Sequence, residues 1–320
     1  MPRVGEAAAL ATAVFWAFTA LFFAAAARRV GAPLVNLVRL VLAALFLGAT
    51  VLLTGASSRP PAGQVACLAL SGVVGLALGD AAYFRALEYL GARRASLSMA
   101  LAPVFTAVLM VPLLGEDLGW LTAAGMGITI AGVAWVQGER PADGEERPHA
   151  GMGILFGVLG SLGQAGGYVL AKVGLGAAPE GSVLAAWAGL APRAVEGSGT
   201  LAGEAVAPLF GTFLRMAAGV AWLGVGAAIL RRPRNFRDIV EDRRALSATV
   251  AGTVFGPFLG VWMSLFAVAH ANTAVASTIL ATSPIFVIPM VRVAHGERAS
   301  WRAWAGAIVA VGGVALLSLR

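Results

Sequence analysis

Apolar runs of about 20 residues recur along this whole chain, and nothing else in it constrains the fold as strongly. Such a run crosses a bilayer core of about 30 Å only as a helix, because lipid offers no partner to an open backbone N–H or C=O. Ten candidates run about 6–27, 33–54, 65–87, 96–114, 119–137, 151–171, 206–230, 247–269, 274–294 and 301–318. Charged residues are 12% of the 320, where soluble domains carry about 25%. The expectation is an all-α integral membrane protein with ten transmembrane helices. The first run has small residues after it, "FFAAAARR", but only Arg3 precedes it, offset by Glu6, and it is longer than a signal core. It is expected to stay as a helix.

Shifting the chain by 181 residues lays 78–134 on 259–315 without a gap, and sixteen of those 57 positions are identical. They include Pro103/Pro284, Phe105/Phe286, Gly115/Gly296, Glu116/Glu297 and Trp120/Trp301. Composition bias could supply matched alanines and glycines, but not a proline, a Gly-Glu pair and a tryptophan in register. Weaker matches pair "PLVNLVRLVL" with "PLFGTFLRMAAG". Each half then holds five spans, and an odd number makes the second half enter the membrane from the opposite side. The predicted organisation is a first five-helix repeat over 1–137, a connecting loop over 138–150 and an inverted second repeat over 151–320. The second carries an insertion at about 172–205, with an interfacial helix expected around "SVLAAWAGL". Inverted repeats suit a site at the interface of the halves, opened alternately to each side.

Within the spans, Ser71-xxx-Gly75-xxx-Gly79 and Gly252-xxx-Gly256-xxx-Gly260 place small residues on one helical stripe. That pattern suits close helix packing, or a smooth wall along a solute path. Pro103 and Pro284 interrupt the fourth and ninth spans at equivalent places. The hydroxyls of Ser96, Ser98, Ser277, Thr278, Thr282 and Ser283 precede them and can bond back to the helix or line a polar cavity.

Ionisable groups inside a span cost about 2.5–3.5 kcal/mol each at the centre, so each one demands a reason. Asp80 lies about 8–10 Å inside the third span at 1.5 Å per residue, with Tyr83 on the same face. Its repeat partner is Val261. The carboxylate is a candidate for proton coupling, for holding a cationic solute, or for a packing ion pair with Arg39 or Arg85. Arg85 and Glu88, three apart near the water line, are expected to pair with each other. Arg39 and Arg215 follow Pro33 and Pro208 by six and seven residues, at matching depths. They are candidates either to hold an anionic group or to balance an acid. Asn36, Trp16, Gln164, Tyr168 and Trp262 complete the candidate lining.

Several classes fall away. The single Cys67 allows no internal disulfide, and His149, His270 and His295 fall at or beyond helix ends without metal-ligand spacing. No metal, cofactor or catalytic residue is expected. An intramembrane aspartyl protease needs two facing carboxylates, and no second acid lies deep in a span. The net charge of +7 is nearly all arginine in loops, which speaks to topology rather than to nucleic acid. Loops after odd-numbered spans hold 13 Lys and Arg against five in the other set, placing both termini outside.

The five-plus-five repeat, the glycine-rich helices and "GE" followed by Trp after the fourth and ninth spans together resemble the drug/metabolite transporter superfamily. The nearest likeness is to its EamA-type members. "LGDAAYFRALEYLGARRASLSMALAPVFTAVLMVPLLGEDLGW" and "NTAVASTILATSPIFVIPMVRVAHGERASW" carry the resemblance. It implies a carrier that exports or exchanges a small polar metabolite, drug or related solute, with both termini in the cytoplasm. The expected function is a secondary active transporter in the cell membrane, working by alternating access. Its partners are a small solute, membrane lipids and, as coupling ion, protons; a monomer is compatible with all of this. An uncoupled channel or a lipid flippase of the same fold is the alternative.

Overall fold

The computed structural model describes residues 2–56, 59–115, 119–137, 149–176, 178, 182–190, 206–229, 236–270, 279–295 and 300–317. Its elements are α1 (Pro2–Val30), α2 (Ala32–Thr54), α3 (Ala62–Ser71), a π-helical stretch (Gly72–Gly79), α4 (Asp80–Ser98), a 3₁₀ turn (Met99–Leu101), α5 (Ala102–Leu114) and α6 (Trp120–Gln137). There follow α7 (Ala150–Gly174), α8 (Val183–Trp187), α9 (Pro208–Ile229), α10 (Phe236–Glu241), α11 (Arg243–Thr253), a second π-helical stretch (Val254–Gly260) and α12 (Val261–His270). The last two are α13 (Ser283–His295) and α14 (Trp301–Leu317).

Among the described residues, seven helical stretches are long and apolar enough to cross a membrane, and α13 and α14 are shorter apolar helices. The third of the seven, Ala62–Leu114, has 53 residues, about 80 Å at 1.5 Å per residue and far more than one crossing needs. It is broken at Gly91, whose φ of 78° lies in the left-handed region that glycine reaches without a Cβ clash. The chain therefore turns between the expected third and fourth spans, which come out longer than their hydropathy alone suggested. Large apolar side chains such as Leu53 and Val293 face outward, 87% and 89% exposed, as lipid contact requires.

Both prolines singled out from the sequence open a helix. Pro103 stands in the first turn of α5, after the 3₁₀ turn, where its missing N–H costs nothing. Pro284 is the second residue of α13, after a turn closed by Ile285 N–H on the Thr282 carbonyl at 2.8 Å. In the inserted segment, Ser182 caps the short α8 by accepting from the Ala185 N–H at 3.2 Å. That is the helix expected around "SVLAAWAGL".

The packing interleaves the two parts of the chain. Helix α1 lies along α11, the second π-helical stretch and α12, while α7 lies along α3, the first π-helical stretch and α4. Helix α2 meets α9, and α6 meets α14 in the most extensive helix pair. At that seam Gly132 lies against Gly306 and Ala310, and Gly313 lies against Gly125 and Thr129. Every residue in the first contact is matched in the second by the one 181 positions away, and the Thr129 hydroxyl donates to the carbonyl of its own match, Ala310, at 3.4 Å. The small-residue stripes are packing surfaces: Ser71 Oγ donates to the Gly167 carbonyl at 2.6 Å, and Gly75 and Gly79 lie against Gly167 and Gly163.

Candidate functional site

The site begins with a backbone irregularity. In an α-helix the Asp80 N–H would bond the Leu76 carbonyl; here it is shared between Gly75, five residues back, and Ala77, three back. Leu76 is left with acceptor capacity and Ala77 with a second lone pair, and side chains from α2 use both. Arg39 Nη2 donates to the Leu76 carbonyl at 3.4 Å, and Asn36 Nδ2 to the Ala77 carbonyl at 3.2 Å. The widened turn thus supplies oxygen ligands inside an apolar helix without a polar side chain.

Asp80, the first residue after that stretch, stands at the centre. Its Oδ2 takes a hydrogen bond from Arg39 Nη2 at 2.5 Å, and its Oδ1 takes one from Gln164 Nε2 on α7. The same Arg39 nitrogen donates to Asn36 Oδ1 at 3.0 Å. Asp80 and Arg39 are each 5% exposed and Asn36 is 1% exposed, so the pair is out of bulk water. The Phe23 and Phe84 rings flank the guanidinium, their centroids 5.9 and 5.4 Å from its central carbon. A buried ion pair of this kind repays its desolvation only when the remaining lone pairs and protons are satisfied; Gln164, Asn36 and the Leu76 carbonyl do so in part, and Arg39 Nε is left without a partner.

Arg215, on α9, is treated differently. Its guanidinium lies over the Tyr168 ring, 5.9 Å from the centroid, and within electrostatic range of Asp80. Its backbone is pressed against Gly72, where any side chain would collide with the Arg215 carbonyl. Among the described residues no acid pairs with it, and its buried Nε has no hydrogen-bond partner. Tyr168 follows Gln164 by one turn on α7 and is half exposed.

A model of the EamA-like transporter family matches residues 3–137 and 198–319. The chain belongs to the EamA-like transporter family. A solved crystal structure superposes with a TM-score of 0.60 over 98% of this chain and 94% of its own, at 18% identity, which establishes a shared fold. No curated protein matches. As a family member the chain is a multi-pass membrane protein, related to the drug/metabolite transporters, and its kind of activity is transport of a small solute across a membrane.

For this EamA-like transporter, the candidates read from the sequence fall in separate places. Asp80, Arg39, Asn36 and Gln164 form one bonded cluster, with Arg215 and Tyr168 beside it. Tyr83, also within electrostatic range of Asp80, shares a 3.3 Å hydrogen bond with the Ser96 hydroxyl. Trp16 and Trp262 lie at the second π-helical stretch: the Trp16 indole lies against Gly260, and the Trp262 ring against Phe258. Ser98 and Thr282 bond back to the carbonyls of Arg94 and Ile279, at 3.1 and 2.6 Å, which favours the helix-satisfying role over the cavity. Ser277 and Thr278 lie outside the described residues, as do Gly296 and Glu297.

Of the ion pairs weighed from spacing, Asp80 takes Arg39, and Arg85 takes Glu88 at 3.0 Å. Glu88 also accepts from the Ala32 N–H and so caps α2 from another helix. Two features gave no sequence signal. The π-helical turns are one. The other is a buried staple in which Gln137 donates to Ser98 Oγ at 2.8 Å and to the Arg94 carbonyl at 3.0 Å, while Arg94 Nε donates to Gln137 Oε1 at 3.3 Å. Arg94, counted as a loop cation in the topology argument, is instead 7% exposed inside the bundle.

Proposed function

We infer that this EamA-like transporter is a secondary active carrier that moves a small polar metabolite by alternating access between two inverted five-helix halves of a ten-helix bundle in the cell membrane. The observation that carries the reading is the position of Asp80. Its carboxylate is gripped by Arg39 from the first half of the chain and by Gln164 from the second, so the one buried acid of the cluster sits where the halves meet. An intramembrane ionisable group marks a substrate or ion pathway by default. Carriers built from inverted repeats place their site at the interface of the repeats. The matched contacts across α6 and α14, 181 residues apart, support the inverted arrangement, and the paired π-helical stretches do the same. Breaking and remaking the bond between Asp80 and Gln164 as the halves rock is the proposed coupling step, with export or exchange as the direction of net transport.

The test is counterflow. Purified protein in liposomes is preloaded with unlabelled amino acids, then in separate preparations with sugar phosphates, and uptake of the same labelled solute is followed. A carrier accelerates uptake when solute is present on the far side. An uncoupled channel gives uptake that ignores the far-side solute, and a flippase instead equilibrates a labelled lipid between leaflets. Either of those results overturns the carrier reading.

A further inference from the structure

We propose that Arg215 is an anion-binding residue, and that the ligand entering between the halves presents a carboxylate or phosphate group to it. The inference rests on the carrier reading and deepens it by naming the chemical class. It begins with charge balance in the cluster. Asp80 is one negative charge, and Arg39 meets it at 2.5 Å with a second donor, Gln164, on the other oxygen. That account is closed before Arg215 is counted, so the cluster carries one net positive charge.

No other described residue closes it. Among the described residues Arg215 has no ion pair, its Nε is sealed from solvent without a partner, and its nearest ring, Tyr168, supplies only a π face. A guanidinium presents five donors in a flat fork that matches carboxylate and phosphate oxygens two at a time. On the side facing the first π-helical stretch, its Nη2 lies beside Gly75, where a methyl would stand 3.7 Å away in ordinary contact. Tyr168 retains half its surface accessible although it lies against Arg215 and within range of Asp80. Accessible surface there, beside two charges of the cluster, is what the wall of a ligand space provides. Arg39 also leaves its Nε without a partner, but its charge is already met by Asp80, whereas Arg215 pairs with no acid among the described residues.

The experiment uses the full chain in a neutral detergent. Melting temperature is followed against inorganic phosphate and against acetate at constant ionic strength, with choline chloride as the cation control. Phosphate or acetate is expected to raise the melting temperature of the native protein, Arg215→Lys to keep part of the response, and Arg215→Gln to need about tenfold more anion or worse, the loss expected for a charged hydrogen-bonded contact. Without anion, Arg215→Gln should melt close to the native protein, since only the Tyr168 ring contact and the longer-range attraction of Asp80 are lost. A clearly lower melting point would reveal a hydrogen-bonded internal partner and overturn the proposal. So would an unchanged anion response in Arg215→Gln, or a response to choline equal to that to the anions.

Phosphatidylglycerol added to the micelles, against phosphatidylcholine, separates the two sources of such a group. Stabilisation by that lipid alone, lost in Arg215→Gln, supports the anion site and assigns it to a headgroup. Counterflow keeps the two claims apart. An Arg215-dependent anion response without counterflow of any solute sinks the carrier and leaves the anion site standing. Counterflow of an anionic solute with the same half-saturation in Arg215→Gln sinks the anion site and leaves the carrier.

Discussion

Around the first π-helical stretch the neighbours are polar and the backbones nearly touch. Gly75 and Gly79 lie against glycines of α7, Arg39 and Asn36 bond the exposed carbonyls, and Asp80 follows at once. Around the second stretch the same wide turn is closed by Val261 N–H on the Gly256 carbonyl, again five residues back and again 181 positions on. Its neighbours are bulky: Trp16 fills the space at Gly260, Thr19 at Gly256, and Phe15, Phe18 and Phe22 surround Phe255. One backbone device is thus used twice, once to carry charge and once to carry aromatic packing. The difference shows one main-chain device serving both stretches, while only the first is followed by a buried carboxylate.

The sharpest way to break that comparison is to make the two halves alike. Asp80→Asn leaves Arg39 buried beside Arg215 without a counter-charge and should destabilise the protein by about 3–5 kcal/mol, the usual cost of breaking a buried pair. Thermal unfolding in detergent measures it. Removing both charges, as Asp80→Asn with Arg39→Leu, should recover much of the loss. If the single variant melts like the native protein, the cluster does not hold the halves together.

Gln164→Leu tests the same seam from the other side. It removes the second donor to a charged group, worth about 1.5–3 kcal/mol, and should abolish counterflow while leaving the Asp80–Arg39 pair intact. A third pair of variants compares the stripes directly. A methyl at Gly79 would stand 3.0 Å from the Gly163 backbone, which cannot move aside, whereas a methyl at Gly252 would meet the Phe23 ring at 2.6 Å, which can rotate. Gly79→Ala should therefore cost about 1–3 kcal/mol and Gly252→Ala clearly less. Equal losses would mean that both stripes are backbone-limited.

The smallest effect is expected at the bundle's rim. There Asp242 accepts from Arg29 at 2.7 Å and from the Ala245 and Arg244 N–H groups, linking α1 to the start of α11. The Arg29 bond first, and then the backbone N–H of Ala245, hold its carboxyl below the usual carboxylate range. A lowered folded-state value stabilises above the unfolded value and is lost as pH falls through the folded one, so the clasp should be intact near neutrality and fade only below about pH 4. Asp242→Asn should remove that acid-side slope from the melting curve and change little at pH 7. A slope that survives the substitution would belong to another carboxylate.

Much of this was legible from residue order because bilayer physics leaves few choices. Long apolar runs have to be helices, and an arginine six residues after Pro33 stands at a depth where Asp80 needs one. What order could not show was geometry set by contact. Arg39 and Arg215 look equivalent in sequence and both lie against the first π-helical stretch, yet among the described residues only Arg39 bonds the Asp80 carboxylate. Gln164 was one of several polar residues on α7, and its choice among them follows from the glycines that bring α7 against the first π-helical stretch. The staple of Arg94 on Gln137 was hidden because an arginine just after a helix end reads as a water-line charge until Gly91 redirects the chain.

The wide turn ahead of Asp80 also makes its helix a screw with a removable thread. Each residue of an α-helix advances the rotation by about 100°. A turn bonded five residues back holds one residue in excess, and letting that excess pass along the helix would rotate everything downstream by about that angle. Asp80 is the first residue downstream, so one step of the screw would carry its carboxylate from the Arg39 side of the helix to another face with no helix having to unfold. The matching step after the second stretch would turn Val261, an apolar residue, at the equivalent place. Of two identical threads, one is geared to a charge.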